Sequence, residues 1–131
     1  MTRNHLLDAS ALLALIFNEP GGDRVGAVLD DSDIHALNLA EVMRKLVAIG
    51  KPVEEVIEHL QPLKLGVVET LSLEQAQEIA RLTPEAKRLG LSLGDCVCLI
   101  AAESVGITAV TAERRWSEVR GRRVKILQIR P

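Results

Sequence analysis

Apolar and polar positions alternate between two periods along the chain, and each change of period marks the edge of an element. His5-Leu6-Leu7-Asp8 reads as a short strand and Ala9 to Phe17 as a helix. Asn18-Glu19-Pro20-Gly21-Gly22 breaks the pattern, and a second helix runs to about Asp30. Asp33 to Leu37 reads as strand and feeds a helix from Leu39 to Ile49, whose Leu39, Val42, Met43, Leu46 and Ile49 share one face. Gly50 closes that helix, and Pro52 opens the next, which ends near Leu65-Gly66. Val67 to Leu71 is the third strand. Ser72-Leu73-Glu74-Gln75 has capping-box spacing and starts a helix to about Leu82. A short helical turn begins at Thr83-Pro84-Glu85. Leu93 to Val105 is apolar nearly all round, as a buried central helix is. Thr108 to Thr111 is the fourth strand, a short helix covers Arg114 to Val119, and Val124 to Ile129 alternates as a fifth strand.

Strands alternating with crossover helices predict a parallel sheet covered on both faces. Right-handed crossovers then make the chain an α/β protein, a three-layer α/β/α sandwich around a parallel, roughly five-stranded sheet. At 131 residues, with no repeat, linker or low-complexity stretch, residues 1–131 read as a single domain. Ligands of such sheets bind beyond the carboxyl ends of the strands, where strand order reverses.

Composition narrows the function. Aromatic residues are only 2% of the chain, Phe17 and Trp116 with no tyrosine, which excludes a binding face of many stacked aromatics. The formal charge is −2, unevenly spread. From Thr111 onward seven Lys and Arg stand against two acidic residues, whereas residues 1–110 carry nine against sixteen. An acidic body with a basic tail is unlike a simple basic-patch nucleic-acid binder, and it suits an acidic pocket beside a phosphate-attracting strip. Cys96 and Cys98 lie in an apolar helical run with their side chains on different faces, which reads as two buried thiols rather than a zinc or disulfide pair. Asp8 interrupts the apolar start, and no stretch reaches the length of a membrane span, so a cytoplasmic protein is expected.

Four acidic residues fall where the chemistry of this fold belongs. Asp8 ends the first strand, Glu41 and Asp95 lie in the first turns of their helices, and Glu113 follows the fourth strand at once. One explanation is purely structural. Asn38-x-x-Glu41 and Ser92-x-x-Asp95 both match capping-box spacing, Asp8 can cap the helix after it, and acids in first turns complement helix dipoles. The other explanation is a cation site. Asp8 and Asp95 are embedded in apolar sequence, where isolated carboxylates are costly or take up protons. Carboxylates converging there repel one another unless a hard divalent ion such as Mg²⁺ or Mn²⁺ neutralises them. Ser10, Ser92 and Thr111 add hydroxyls beside these acids.

Leu6-Leu7-Asp8-Ala9-Ser10-Ala11-Leu12-Leu13 resembles the opening motif of PIN-domain proteins. Asn38-Leu39-Ala40-Glu41-Val42, Leu91-Ser92-Leu93-Gly94-Asp95-Cys96 and Val110-Thr111-Ala112-Glu113-Arg114-Arg115-Trp116 resemble the second, third and fourth motifs in order. The resemblance spans essentially the whole chain, and the length suits the small VapC-type toxins of bacterial toxin–antitoxin pairs. It implies a metal-dependent endoribonuclease in which Asp8, Glu41 and Asp95 hold Mg²⁺ or Mn²⁺ and Glu113 supports a second ion. A metal-activated water would attack the RNA phosphodiester, with no histidine as base. Glu113 departs from the usual Asp of the fourth motif, and its longer arm reaches a metal directly or through water.

The same resemblance implies a cognate antitoxin, a homodimer and a toxin–antitoxin hetero-oligomer, with no membrane role. The apolar patterns Leu12-Leu13-Ile16-Phe17 and Val53-Val56-Ile57-Leu60 suit either a groove for the antitoxin or ordinary core packing. Arg114 and Arg115 flank Glu113 and are expected at RNA phosphates, with the Lys87-Arg88 pair and Arg120, Arg122, Arg123 and Lys125 as further candidates. His5, His35 and His59 fall outside the motifs and read as structural or solvent-facing. A phospho-accepting receiver domain fits poorly, because only one acid follows strand one and no Lys ends strand five. A PIN-like binding or assembly module, and a PIN nuclease of RNA processing without an antitoxin, are the remaining alternatives.

Overall fold

The computed structural model describes residues 3–131; Met1 and Thr2, part of the single domain expected from sequence, lie outside the described residues. The strands are β1 (His5–Leu7), β2 (Ser32–His35), β3 (Gly66–Val68), β4 (Thr108–Thr111) and β5 (Lys125–Gln128). The helices are α1 (Ala9–Ile16), α2 (Gly22–Val28), α3 (Ala36–Ala48), α4 (Val53–Leu60), α5 (Leu73–Arg81), α6 (Thr83–Leu89) and α7 (Leu93–Val105). All four strand pairings are parallel, in the order β3-β2-β1-β4-β5. The three-layer sandwich expected from the alternation is what forms.

Side-chain alternation along the strands builds the layers. Leu7, Ile34 and Val110 face a core shared with α1 through α4, whereas Leu6 and Ala109 face a second core with α7, Leu82 and Trp116. In α7 the stretch Cys96 to Ala102 is buried throughout, both thiols included, while its ends Leu93 and Val105 are exposed. No helix among the described residues is long and apolar enough to cross a membrane.

Several boundaries differ from the sequence reading, and β3 ends at Val68 rather than Leu71. Strand β2 ends at His35 rather than Leu37, because the His35 ring Nδ1 accepts the Leu37 N–H at 3.1 Å and starts α3 at Ala36. Glu41 therefore lies in the second turn of α3, and Asn38 sits inside the helix instead of capping it. Helix α4 stops at Leu60 and tightens into a 3₁₀ turn over Gln61–Leu63, since Pro62 has no N–H to continue an α-helix. The turn at Thr83 extends into a seven-residue helix, α6, closed by Gly90 at φ 68°.

Strand order decides where a ligand goes. The chain steps from β1 through β2 to β3 on one side, then returns to place β4 on the other flank of β1. The crevice of an open parallel sheet lies beyond the carboxyl ends at that reversal, between β1 and β4. Leu7 pairs with Val110 there, and the Asp8 N–H donates to the Val110 carbonyl at 3.0 Å. The two chain exits, Asp8 and Thr111–Glu113, are thus fixed side by side.

Helix α2 offers a stability test of this packing. A Cβ on Gly22 would overlap the carbonyl oxygen of Ala14, whereas one on Gly26 would meet only Leu15 Cδ1 at an ordinary 3.6 Å. Gly22→Ala should cost roughly 1–3 kcal/mol, while Gly26→Ala should add about 0.5–1 kcal/mol through helix propensity. Thermal melts of the two proteins should move in opposite directions.

Candidate acidic site at the sheet switch point

Asp8 serves as both cap and buried acid. It is 2% exposed, and its Oδ1 accepts the Ala11 N–H at 2.8 Å, capping α1. Ser10 Oγ lies 2.8 and 2.9 Å from the two Asp8 oxygens, and Thr111 Oγ1 donates to Oδ2 at 2.6 Å. The direction of these bonds follows from the backbone. Ser10 Oγ already accepts the Ala112 N–H at 3.0 Å, and Thr111 Oγ1 accepts the Glu113 N–H at 2.9 Å. Each hydroxyl therefore turns its one hydrogen toward Asp8. Burial nevertheless pushes the Asp8 pKa up to about 7, against the bonds from Thr111, Ala11 and Ser10, and the charge of Asp95 adds to the rise.

Asp95 completes a reciprocal capping box on α7: its Oδ2 accepts the Ser92 N–H at 2.8 Å, and its own N–H donates to Ser92 Oγ at 3.1 Å. Burial again raises its pKa, opposed by Ser92 and increased by the charge of Glu113. Glu41 arrives from α3. Asn38 Nδ2 donates to Glu41 Oε1 at 3.0 Å and to the Gly94 carbonyl at 3.1 Å, tying α3 to the first turn of α7. Gly94 leaves the space this needs, because a Cβ there would collide with the Glu41 carboxylate. Burial raises the Glu41 pKa, Asn38 opposes it, and Asp95 adds to it. Glu113 lies 3.4 Å from Arg115.

These residues line one cleft of about 540 Å³, with Asp8, Ser10, Glu41, Ser92, Asp95, Glu113 and Arg115 all on its wall. Thr111 is buried behind Asp8. Arg114, Lys87 and Arg88 do not line the cleft. Arg88 is engaged by Glu85 at 2.7 Å and by the Glu118 carbonyl, and Arg122 of the basic tail is held by Glu103 and Glu78. The capping and acidic-cluster explanations thus coexist: Asp8 and Asp95 cap helices, and still face the same cleft as Glu41 and Glu113. Sequence reasoning passed over Asn38 as a tether, Gly94 as a spacer, and Glu19, Lys45 and Arg130, which line the cleft, and it read Phe17, also on the wall, only as part of an apolar groove or core pattern. Lys45 alone carried a signal, four residues beyond Glu41 on the same helical face.

The donor set suits a hard divalent cation. Asp8, Glu41 and Asp95 have no cationic partner within ion-pair distance among the described residues. Asn38 Oδ1 is buried with no hydrogen-bond donor. All are oxygen donors, the kind that Mg²⁺ and Mn²⁺ take. Among the described residues no three acidic, imidazole or thiol groups are already gathered tightly enough to hold one ion.

The metal-free protein should show this charge frustration in its stability. A carboxyl whose pKa rises on folding contributes stability fully below its unfolded value, and loses it as pH climbs through the folded value. For Asp8 that window runs from 3.8 to about 7, and the loss is on the order of 4 kcal/mol. Denaturant titrations in EDTA from pH 4 to 8 should show a fall in wild type that is much smaller in Asp8→Asn; equal pH slopes would contradict the buried-acid account.

The PIN domain family model matches residues 5–122 of the chain. No curated protein sequence matches it. Among solved structures, PAE2754 from Pyrobaculum aerophilum is similar at 26% identity and TM-score 0.62, over 95% of this chain and 92% of that one. VapBC2 from Rickettsia felis, bound to a DNA fragment from its promoter, is similar at 16% identity and TM-score 0.71, over 95% and 97% of the two chains. DNA-bound VapBC from Salmonella typhimurium is similar at 17% identity and TM-score 0.70, over 97% and 98%. The family match runs from β1 into the loop before β5, and all four acidic motifs lie inside it, so the chain belongs to the PIN domain family.

Proposed function

We propose that this single PIN domain is a metal-dependent endoribonuclease and the toxin of a toxin–antitoxin pair. The observation that carries the reading is the meeting of Asp8, Glu41, Asp95 and Glu113 at one cleft, three of them without a cation partner. Likeness in fold to VapBC structures from Rickettsia felis and Salmonella typhimurium supports the toxin assignment. A cognate antitoxin, a homodimer that assembles with it, and a cytoplasmic location follow from that reading.

Asp8, Glu41 and Asp95 would hold Mg²⁺ or Mn²⁺, with Glu113 toward a second ion. A bound divalent ion supplies a water of lowered pKa and neutralises charge growing on the phosphodiester and its leaving oxygen. The chain's own residues set the stage. Ser10 and Thr111 orient the Asp8 carboxylate, and the Ala112 and Glu113 backbone N–H groups keep those hydroxyls turned toward it. Ser92 holds Asp95, and Asn38 holds Glu41 against α7. Arg115, beside Glu113, offers a cation to an incoming phosphate.

Purified protein freed of antitoxin should cut a labelled mixed RNA pool with Mg²⁺ or Mn²⁺ and not with EDTA. Asp8→Asn and Asp95→Asn should lose at least ~100-fold in rate while still folding, and Thr111→Val about 10–100-fold as an outer support of a ligand. A folded wild type that cuts nothing with either metal would leave the binding-module reading in its place. Gly94→Ala should displace Glu41 and weaken metal binding about 10-fold or more, read by calorimetric titration of Mn²⁺; unchanged affinity would remove Glu41 from the site.

A further inference from the structure

The cleft extends beyond its carboxylates along two parallel stripes. Helices α1 and α3 are packed together, and both start at the carboxyl edge of the sheet. Ala9, Leu13 and Phe17 recur at every fourth position of the first, and Asn38, Glu41 and Lys45 share a face of the second; all six line the cleft. Nine residues at 1.5 Å rise place Phe17 about 13 Å along the helix from Asp8. The far part of the cleft therefore differs in chemistry from the acidic end.

Phe17 is the chain's only phenylalanine, and it is 40% exposed, whereas Leu12 and Leu13 of the helix before it are buried. Its backbone is fixed, the Phe17 N–H donating to the Leu13 carbonyl at 2.9 Å. Three cations line the cleft: Lys45, Arg115 and Arg130. Arg115 lies beside Glu113, and Arg130 is braced by the Pro20 carbonyl at 2.9 Å and by Glu19 at 3.5 Å. Lys45 makes no ion pair among the described residues. An exposed aromatic ring and an uncommitted ammonium on the wall of one cleft match one nucleotide, its base stacked and its phosphate neutralised. A volume of about 540 Å³ is ample for that nucleotide beside the reacting phosphate.

Resting on the ribonuclease reading, we propose that Phe17 and Lys45 form a subsite for a nucleotide flanking the cut, with the base on the Phe17 ring and a phosphate at Lys45. Arg130, held by Pro20 and Glu19 of the turn after α1, lines the same cleft. A single stacking platform makes the substrate single-stranded at this point, because a base in a duplex has no free face to offer.

The test compares cleavage and binding of short single-stranded RNAs by wild type, Phe17→Leu, Phe17→Trp and Lys45→Gln proteins of matched melting temperature. Phe17→Leu should raise KM roughly 5- to 150-fold with little change in kcat, the range of one lost base stack, and Phe17→Trp should restore it. Lys45→Gln should flatten the salt dependence of log kcat/KM by about 0.7, the loss of one single-strand phosphate contact. An RNA with an abasic nucleotide beside the cut should lower wild-type efficiency and leave Phe17→Leu unaffected. If both variants keep the wild-type KM and salt slope, the subsite is overturned while the nuclease stands. Anisotropy with the same RNAs separates the two ideas: binding through Phe17 without cutting keeps the subsite and removes the nuclease, and no RNA binding removes the subsite.

Discussion

Where β1 and β4 leave the sheet side by side, two hydroxyls, Ser10 and Thr111, take backbone N–H groups from one exit and give their hydrogens to the carboxylate of the other. That exchange seats Asp8 at the point where strand order reverses, and the remaining acids are arranged around it. Asp95 reaches the cleft because Ser92 caps α7, and Glu41 reaches it because Asn38 bridges to Gly94. If the β1–β4 pairing slipped by one residue, the alternation of Leu6 and Leu7 between the two cores would fail along with the site.

The arrangement has an electrostatic cost. Asp8, Glu41 and Asp95 are all pushed toward protonation by burial, and each rise includes the charge of a neighbouring acid. Elsewhere the chain pairs its acids freely, as with Glu85 and Arg88 or Glu103 and Arg122. At the cleft Asp8, Glu41 and Asp95 are partly or wholly buried without such a partner among the described residues. Local destabilisation of this kind is expected where a ligand supplies the missing charge.

The layers, the parallel sheet and the placement of Asp8 and Asp95 at its carboxyl edge were legible because each rests on short-range pattern: alternation, capping spacing and a charge set in apolar sequence. Glu41 and Glu113 were picked out by their places after the second and fourth strands, and they lie with Asp8 and Asp95 at one cleft. The start of α3 was not legible, since a histidine ring nitrogen replaces the usual hydroxyl or carboxylate cap, and with it went the role of Asn38. The pairing of the basic candidates was not legible for a different reason. Arg88 and Arg122 are neutralised by partners fixed in the folded chain, Arg122 by residues far away in sequence. Phe17 follows α1, Lys45 lies in α3 and Arg130 follows β5, and only tertiary packing shows that they border one cleft.

Calorimetric titration of Mn²⁺ into metal-free protein at neutral pH tests the central claim, that four carboxylates stand together to receive a divalent cation. Saturable binding that releases protons, because Asp8 is partly protonated beforehand, and that is severely weakened in Asp8→Asn, is the result expected. Absence of binding to the folded protein, or equal affinity in Asp8→Asn, would contradict it and leave Asp8 and Asp95 with their capping roles alone.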